Sequence, residues 1–206
     1  MQKLDAQQAK RLFFMMDIIR FKDYINFMEE FLETEKNNQE ENLKKIHTMT
    51  DRDDLIVLDR RVWYAQTDEF AGILRRSFFI SIFSFFENRL INEYRVIRSG
   101  EIDKRGELQN AINYFAKDES VAFPSGVTEA VQNYRIVRNC IVHAQGTPKE
   151  MKSEKEQKTL ESFLKKNENI FLSKEGICLK MGFCEEAIQN IEVFLRLVLF
   201  PDKTKR

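Results

Sequence analysis

The spacing of apolar side chains predicts a chain built mostly of long helices. Over residues 5–36 these side chains recur at three- and four-residue steps, and the pattern restarts over residues 38–47 after a polar stretch. Residues 62–98 contain a second long helix by the same criterion. Its apolar run from Phe78 to Phe86 is expected to lie in the centre of a bundle. That run is far shorter than the roughly 20 residues of a membrane-spanning helix.

In the second half of the chain, the pattern of apolar residues predicts shorter helices and strands than in the first half. Amphipathic helices are expected over residues 105–117 and 127–145, and the highly charged residues 149–166 predict a solvated helix or a partly mobile segment. Two short apolar runs on either side of residues 174–176 predict a β-hairpin, and a last helix is expected over residues 183–200. The predicted fold class is mainly α: an up-and-down helical bundle with a small β-hairpin before the last helix.

The length of the chain allows one domain, or one domain with an appendage. We expect residues 1–60 to form an N-terminal helical extension packed on the bundle. Residues 61–206 are expected to form the helical domain itself, so that the two parts make one compact unit.

Charge and cysteine content narrow the classes of function. Lysine plus arginine and aspartate plus glutamate both number 33, so the net charge is zero and RNA binding would need a local basic patch. The three cysteines show no C-x-x-C spacing, which favours reduced, packed thiols over a zinc site. The polar N-terminal stretch does not resemble a signal peptide. We therefore expect a cytoplasmic protein without a membrane span, a metal or a cofactor.

The helix predicted over residues 127–145 carries two different faces. One is an apolar stripe at three- and four-residue spacing, expected to face the core, and the other is a polar arc. The stripe consists of Ala130, Tyr134, Val137, Ile141 and Ala144, and the arc of Gln132, Arg135, Asn139 and His143, with Arg138 at its edge. Asn139 and His143 are i, i+4 neighbours, so their side chains can touch. By itself, a single histidine on a helix is more often structural than catalytic.

The amino-acid sequence around His143 resembles that of a known family. "YRIVRNCIVHAQG" is similar to the signature of the HEPN superfamily, the higher eukaryotes and prokaryotes nucleotide-binding domains. In that signature an arginine is followed by a polar residue and, after four to six intervening residues, by a histidine; Arg138, Asn139 and His143 match these positions. "SFFENRLINEY" resembles the central helix of the family, where Glu87 matches a glutamate. The resemblance covers roughly residues 65–200.

The resemblance implies a metal-independent endoribonuclease that acts as a toxin or an antiviral-defence effector. In RNA the ribose 2′-OH is the nucleophile, so cleavage needs a base, an acid and positive charge beside the phosphorane. The family pattern implies that His143 serves as base or acid and that Arg138 holds the phosphate. Asn139 would orient the imidazole or bind a phosphate oxygen. Glu87 and Arg135 are supporting candidates: Glu87 as an orienting carboxylate or an ordinary ion-pair partner, and Arg135 as additional charge.

The resemblance also implies the partners. Family members are typically homodimers that bring two copies of the motif into one cleft, as a two-fold interface does automatically. RNA, including tRNA or mRNA, would be the substrate, and a cognate antitoxin or defence-system protein a further partner.

Three other functions remain open from the sequence. The chain is also compatible with a non-catalytic HEPN dimer that binds RNA, a nucleotide or a partner protein. A second possibility is a toxin that a nucleotidyltransferase neutralises by modifying it. Members of that subgroup carry a tyrosine two residues after the histidine, and this chain departs from the pattern with Gln145. A helical adaptor would use the first 60 residues for docking. The second histidine, His47, lies outside the motif and is not expected to be catalytic.

Overall fold

A computed structural model describes five stretches of the chain. They are residues 5–46, 68–98, 106–118, 121–174 and 176–201. His47 and the start of the second helix predicted from residue 62 lie outside the described residues.

The described residues form six helices and one hairpin, which confirms the predicted fold class. The helices are α1 (Ala6–Ile46), α2 (Asp68–Arg98), α3 (Glu107–Ala116), α4 (Val127–His143), α5 (Glu154–Lys166) and α6 (Phe183–Leu199). A short 3₁₀ turn, Pro148–Glu150, precedes α5, and the antiparallel strands are β1 (Ile170–Ser173) and β2 (Gly176–Leu179). None of the described helices combines the length and the hydropathy needed to cross a bilayer.

Helix α1 is continuous, so residues 38–46 of the segment predicted to restart are instead the last part of one helix of 41 residues. The polar stretch there contains neither proline nor glycine. Its glutamates, Glu40 and Glu41, precede Lys44 and Lys45 by four residues, a spacing that stabilises a solvated helix. A loss of apolar periodicity without a helix-breaking residue thus marks a part of the helix whose described side chains are exposed, and not the end of the helix.

Helix α2 supplies the aromatic centre of the core. Phe79, Phe83 and Phe86 are fully buried. The ring of Phe79 meets that of Phe183 on α6 edge-on at 5.3 Å between centroids, and Phe86 meets Phe194 at 5.7 Å. Such edge-to-face pairs add to the free energy gained by burial. The apolar run expected to be central is therefore the centre of the bundle.

Helix α1 packs antiparallel to α2 and shares its core. Phe14, Ile18 and Ile25 belong to the same buried cluster as the aromatic side chains of α2. Two ion pairs fix the direction, because Arg75 binds Glu29 and Arg89 binds Asp17, so residue numbers rise along α1 as they fall along α2.

The hairpin is attached to the turn that follows α4. The amide of Gly146 donates to the carbonyl oxygen of Cys140, and the carbonyl oxygen of Gly146 accepts from the amide of Ile177, both at 2.9 Å. The backbone between them is left-handed, with φ of 50° at Gln145 and 78° at Gly146. Strand β2 therefore fixes the segment directly after His143.

Candidate active site at the end of helix α4

Helix α4 carries the motif and buries the face that the sequence predicts. Tyr134, Val137 and Ala144 are buried in the core, and Ala130 and Ile141 pack against it. The opposite side places His143 at the last helical position, with its side chain exposed. The helix thus anchors one side in the bundle and presents the motif at the surface.

The motif's side chains meet around the guanidinium of Arg138. Its Nη1 lies 3.2 Å from Nε2 of His143 and 3.3 Å from Oδ1 of Asn139. Arg138 and His143 are five residues apart, and the long arginine side chain spans the turn between them. Arg138, Asn139 and His143, the catalytic candidates in the sequence, therefore form one contiguous polar group.

The contact between Arg138 and His143 is compatible with one tautomer of the imidazole. A guanidinium only donates hydrogen bonds, so this contact is a hydrogen bond in the tautomer in which Nε2 of His143 carries the lone pair and Nδ1 the ring hydrogen. Oδ1 of Asn139 accepts from the same Nη1, which uses both of its hydrogens. In this tautomer the lone pair of Nε2 accepts a hydrogen bond from the permanently charged guanidinium.

Glu87 on α2 faces the same arginine from the neighbouring helix. Its Oε2 lies 3.8 Å from Nη2 of Arg138, an ion-pair distance that is too long for a hydrogen bond. The two side chains are 30% and 23% exposed, so the pair sits at the edge of the surface. Glu87 therefore biases the position of the guanidinium without taking a hydrogen bond from Nη2.

Arg135 lies one turn before this group and is directed elsewhere. Its Nη2 donates to Oε1 of Glu156 on α5 at 2.7 Å, and both side chains are largely buried. The structure therefore joins Arg135 to α5 and not to Arg138, and Glu156 offsets the charge that Arg135 was expected to contribute. The sequence does not predict the role of Glu156, because nothing in the charged residues of α5 indicates which one faces α4.

Tyr134 is structural, as its place on the core stripe predicts. It is fully buried, and its hydroxyl donates to Oε1 of Glu186 at 2.9 Å. Burial and the neighbouring carboxylate raise the pKa of this phenol far above its ordinary range. The hydroxyl of Tyr134 therefore does not titrate in the working pH range, and its buried ring cannot stack on a nucleobase.

The described residues show no group of three or more histidine, cysteine, aspartate or glutamate side chains that could hold a metal ion. What the site offers is one imidazole, one guanidinium, one amide and one carboxylate. These groups can bind an anionic oxygen and exchange a proton with a nearby hydroxyl.

Comparisons of the chain with protein-family models, with curated proteins and with solved structures give no match.

Proposed function

We propose that this chain is a metal-independent endoribonuclease of the HEPN type, with Arg138, Asn139 and His143 at its site. The observation that carries the proposal is the 3.2 Å contact between Arg138 and His143 at an exposed helix end. The side chain of Arg138 is only 23% exposed, and its guanidinium reaches from beside Glu87 to an imidazole that is itself exposed. The resemblance in sequence supplies the reaction.

The geometry supports a division of roles. The Nη2 donors of Arg138 would bind a non-bridging phosphate oxygen and stabilise the negative charge that develops on the phosphorane. Nε2 of His143 lies next to that position; it would give up its hydrogen bond from Nη1 of Arg138 and accept the proton of the ribose 2′-OH as this oxygen attacks phosphorus. The 5′-oxygen then leaves with a proton, and the products are a 2′,3′-cyclic phosphate and a 5′-hydroxyl.

One histidine per chain supplies only one of the two proton-transfer groups. A second copy of the motif across a two-fold axis would supply the other, so that one imidazole acts as base and its partner as acid. We therefore include a homodimer in the proposal, with the exposed end of α4 facing the shared cleft.

The test is RNA cleavage in EDTA by the wild type and by His143→Ala, with total RNA and a set of tRNAs as substrates. His47→Ala is the matched control, because it removes the other histidine of the chain. Cleavage by the wild type and by the control, with cyclic phosphate ends and none from His143→Ala, supports the proposal. Equal cleavage by all three proteins contradicts it.

Mixed subunits test the shared cleft. If base and acid come from different copies, activity falls as the square of the wild-type fraction when wild type and His143→Ala exchange subunits, to roughly one quarter in an equal mixture. A linear decrease to half would show that each copy works alone.

The biological part of the proposal, a toxin or antiviral-defence effector, is tested by expression in a bacterial host. Growth arrest by the wild type, relieved by His143→Ala at equal protein level, is the expected result. No cleavage and no arrest, with a folded dimer, would favour the non-catalytic HEPN dimer that binds RNA, a nucleotide or a partner protein.

A further inference from the structure

Helix α1 carries a second apolar face that the bundle does not cover. The face that packs inward includes Phe14, Ile18 and Ile25, whereas the opposite side is exposed to solvent. Six exposed side chains follow one another along that side: Phe13, Met16, Arg20, Tyr24, Phe27 and Phe31. We call them the α1 ladder.

The ladder has the spacing of a helix–helix contact. Its members are separated by three or four residues, so they stay on one side of the helix over about 27 Å. Phe13, Phe27 and Phe31 are 61%, 67% and 43% exposed, which is unusual for phenylalanine on the surface of a monomer. Tyr24 is already held in place, because its ring stacks on Phe78 at 5.4 Å between centroids. The surface is therefore apolar, extended and partly preorganised.

The ladder is nearly symmetrical about a midpoint close to residue 22. Phe13 and Phe31 stand at the two ends, Met16 and Phe27 lie inside them, and Arg20 and Tyr24 flank the centre. Two antiparallel copies would therefore stack phenylalanine on phenylalanine at each end and place methionine against phenylalanine within.

The charges at the centre agree with the antiparallel direction. Asp23 is exposed beside Tyr24, and the side chain of Arg20 is 72% exposed. Across an antiparallel two-fold axis, Arg20 of one copy meets Asp23 and the Tyr24 ring of the other, an ion pair combined with a cation–π contact. Parallel packing would instead place Arg20 against Arg20 and Asp23 against Asp23, which is unfavourable.

We infer that the α1 ladder is a self-association surface, on which a second copy of this chain packs antiparallel about a two-fold axis near residue 22. This contact is separate from the proposed active site. Helix α1 lies along the side of α2 that carries Phe85 and Arg89. Glu87, which faces the motif, lies about 160° away from both around the same helix. A chain that uses the ladder and also the motif dimer would thus assemble beyond a dimer.

Charge reversal at the centre tests the contact through the mass in solution. Arg20→Glu places two carboxylates together at each crossing, and we expect it to halve the mass measured by light scattering. The double variant Arg20→Glu/Asp23→Arg restores opposite charges across the axis and should recover the wild-type mass. Lys36→Glu, an exposed charge reversal on the same helix beyond the ladder, is the matched control and should leave the mass unchanged.

Cysteine cross-linking tests the register. The background is Cys178→Ser, because Cys140 and Cys184 are buried. In this background Met16→Cys and Phe27→Cys are purified separately, mixed to allow exchange and oxidised. The antiparallel ladder predicts a disulfide-linked dimer in the mixture and little in either protein alone.

Three results would overturn the inference. One is a wild type whose mass does not change with Arg20→Glu, and another is cross-linking of Phe27→Cys to itself but not to Met16→Cys. The third is a double variant that stays dissociated although its circular dichroism and melting temperature equal those of the wild type. Because the readouts are mass and disulfide formation, they are independent of whether the chain cleaves RNA.

Discussion

A Cβ atom placed on Gly176 would lie 2.9 Å from the carbonyl oxygen of Gly146. The hairpin and the turn after α4 therefore meet backbone to backbone, at a distance that only glycine permits. Since Gly146 follows His143 by three residues, the hairpin determines where the proposed catalytic histidine ends its helix. This gives the small β-element a role that its size alone does not indicate.

Gly176→Ala should accordingly destabilise the protein and displace His143. The new methyl group meets backbone, which cannot turn aside as a side chain can, and φ at this position is +112°, where L-residues are strained. We expect a loss of about 1–3 kcal/mol in the free energy of unfolding, together with reduced RNA cleavage. Urea unfolding and cleavage at a temperature where the variant is folded give the two readouts.

The control for this variant is Gly106→Ala. Gly106 also has a positive φ, of +68°, but a Cβ there meets nothing within 4 Å. It should lose some stability through backbone strain and keep full cleavage. Equal loss of cleavage in both variants would show that the contact between Gly146 and Gly176 does not position His143.

Removing Arg138, or replacing it by lysine, should lower the rate of RNA cleavage. Arg138→Ala removes the donors proposed for the phosphorane and should lower the rate of cleavage by about 10²–10³-fold. Arg138→Lys keeps the charge but loses the planar pair of donors, so an intermediate rate is expected. Single-turnover cleavage of a defined RNA measures both, and wild-type rates in Arg138→Ala would remove the residue from the site.

Replacing Glu87 should lower the rate of RNA cleavage less than replacing Arg138, the arginine that it faces. The ion pair is partly exposed and 3.8 Å long, so its loss in Glu87→Gln is worth roughly a two- to fivefold change in rate at most. Raising the salt concentration should reduce the difference between Glu87→Gln and wild type, because salt screens such a pair. A loss as large as that of Arg138→Ala would show that Glu87 itself takes part in the reaction.

The sequence predicted much of this arrangement because helical periodicity places residues on faces. The stripe from Ala130 to Ala144 and the group of Arg138, Asn139 and His143 both follow from positions on one helix. Contacts between elements could not be predicted in the same way. The partner of Arg135 is Glu156, and the partner of the turn after His143 is β2; each depends on how separate elements pack, which local spacing does not encode.

The thiols offer a test of the core that needs no activity assay. Cys140 and Cys184 are 0% and 1% exposed, whereas Cys178 on β2 is partly exposed. A thiol reagent should therefore label one cysteine quickly in the folded protein and the other two only after unfolding. Mass spectrometry of the labelled peptides identifies which one reacts, and Cys178→Ser should abolish the fast phase.

Burial of the same thiols makes the fold sensitive to alkaline pH. Desolvation raises the pKa of Cys184 to about 12 from its ordinary value of 9.0. The folded state therefore holds a proton that the unfolded state releases above pH 9, so the free energy of unfolding falls as pH rises from 9 toward 12. From Cys184 we expect a loss of about 1 kcal/mol between pH 9 and 10. Urea titrations of wild type and Cys184→Ala should differ in this slope, and parallel slopes would contradict the assignment.

The ion pair between Arg75 and Glu29 joins α1 to α2. Removing one partner is expected to cause a large loss in the free energy of unfolding. It is bidentate, at 2.8 and 2.6 Å, and the two side chains are only 10% and 12% exposed. Glu29→Leu leaves the guanidinium buried without its partner, which costs about 3–5 kcal/mol. The double variant Arg75→Met/Glu29→Leu removes both charges and should recover most of that loss, because a buried ion pair and an apolar pair of similar volume are often nearly equal in free energy. Urea unfolding of Glu29→Leu, of Arg75→Met and of the double variant measures the coupling, and additive losses would show that the pair does not hold α1 to the bundle.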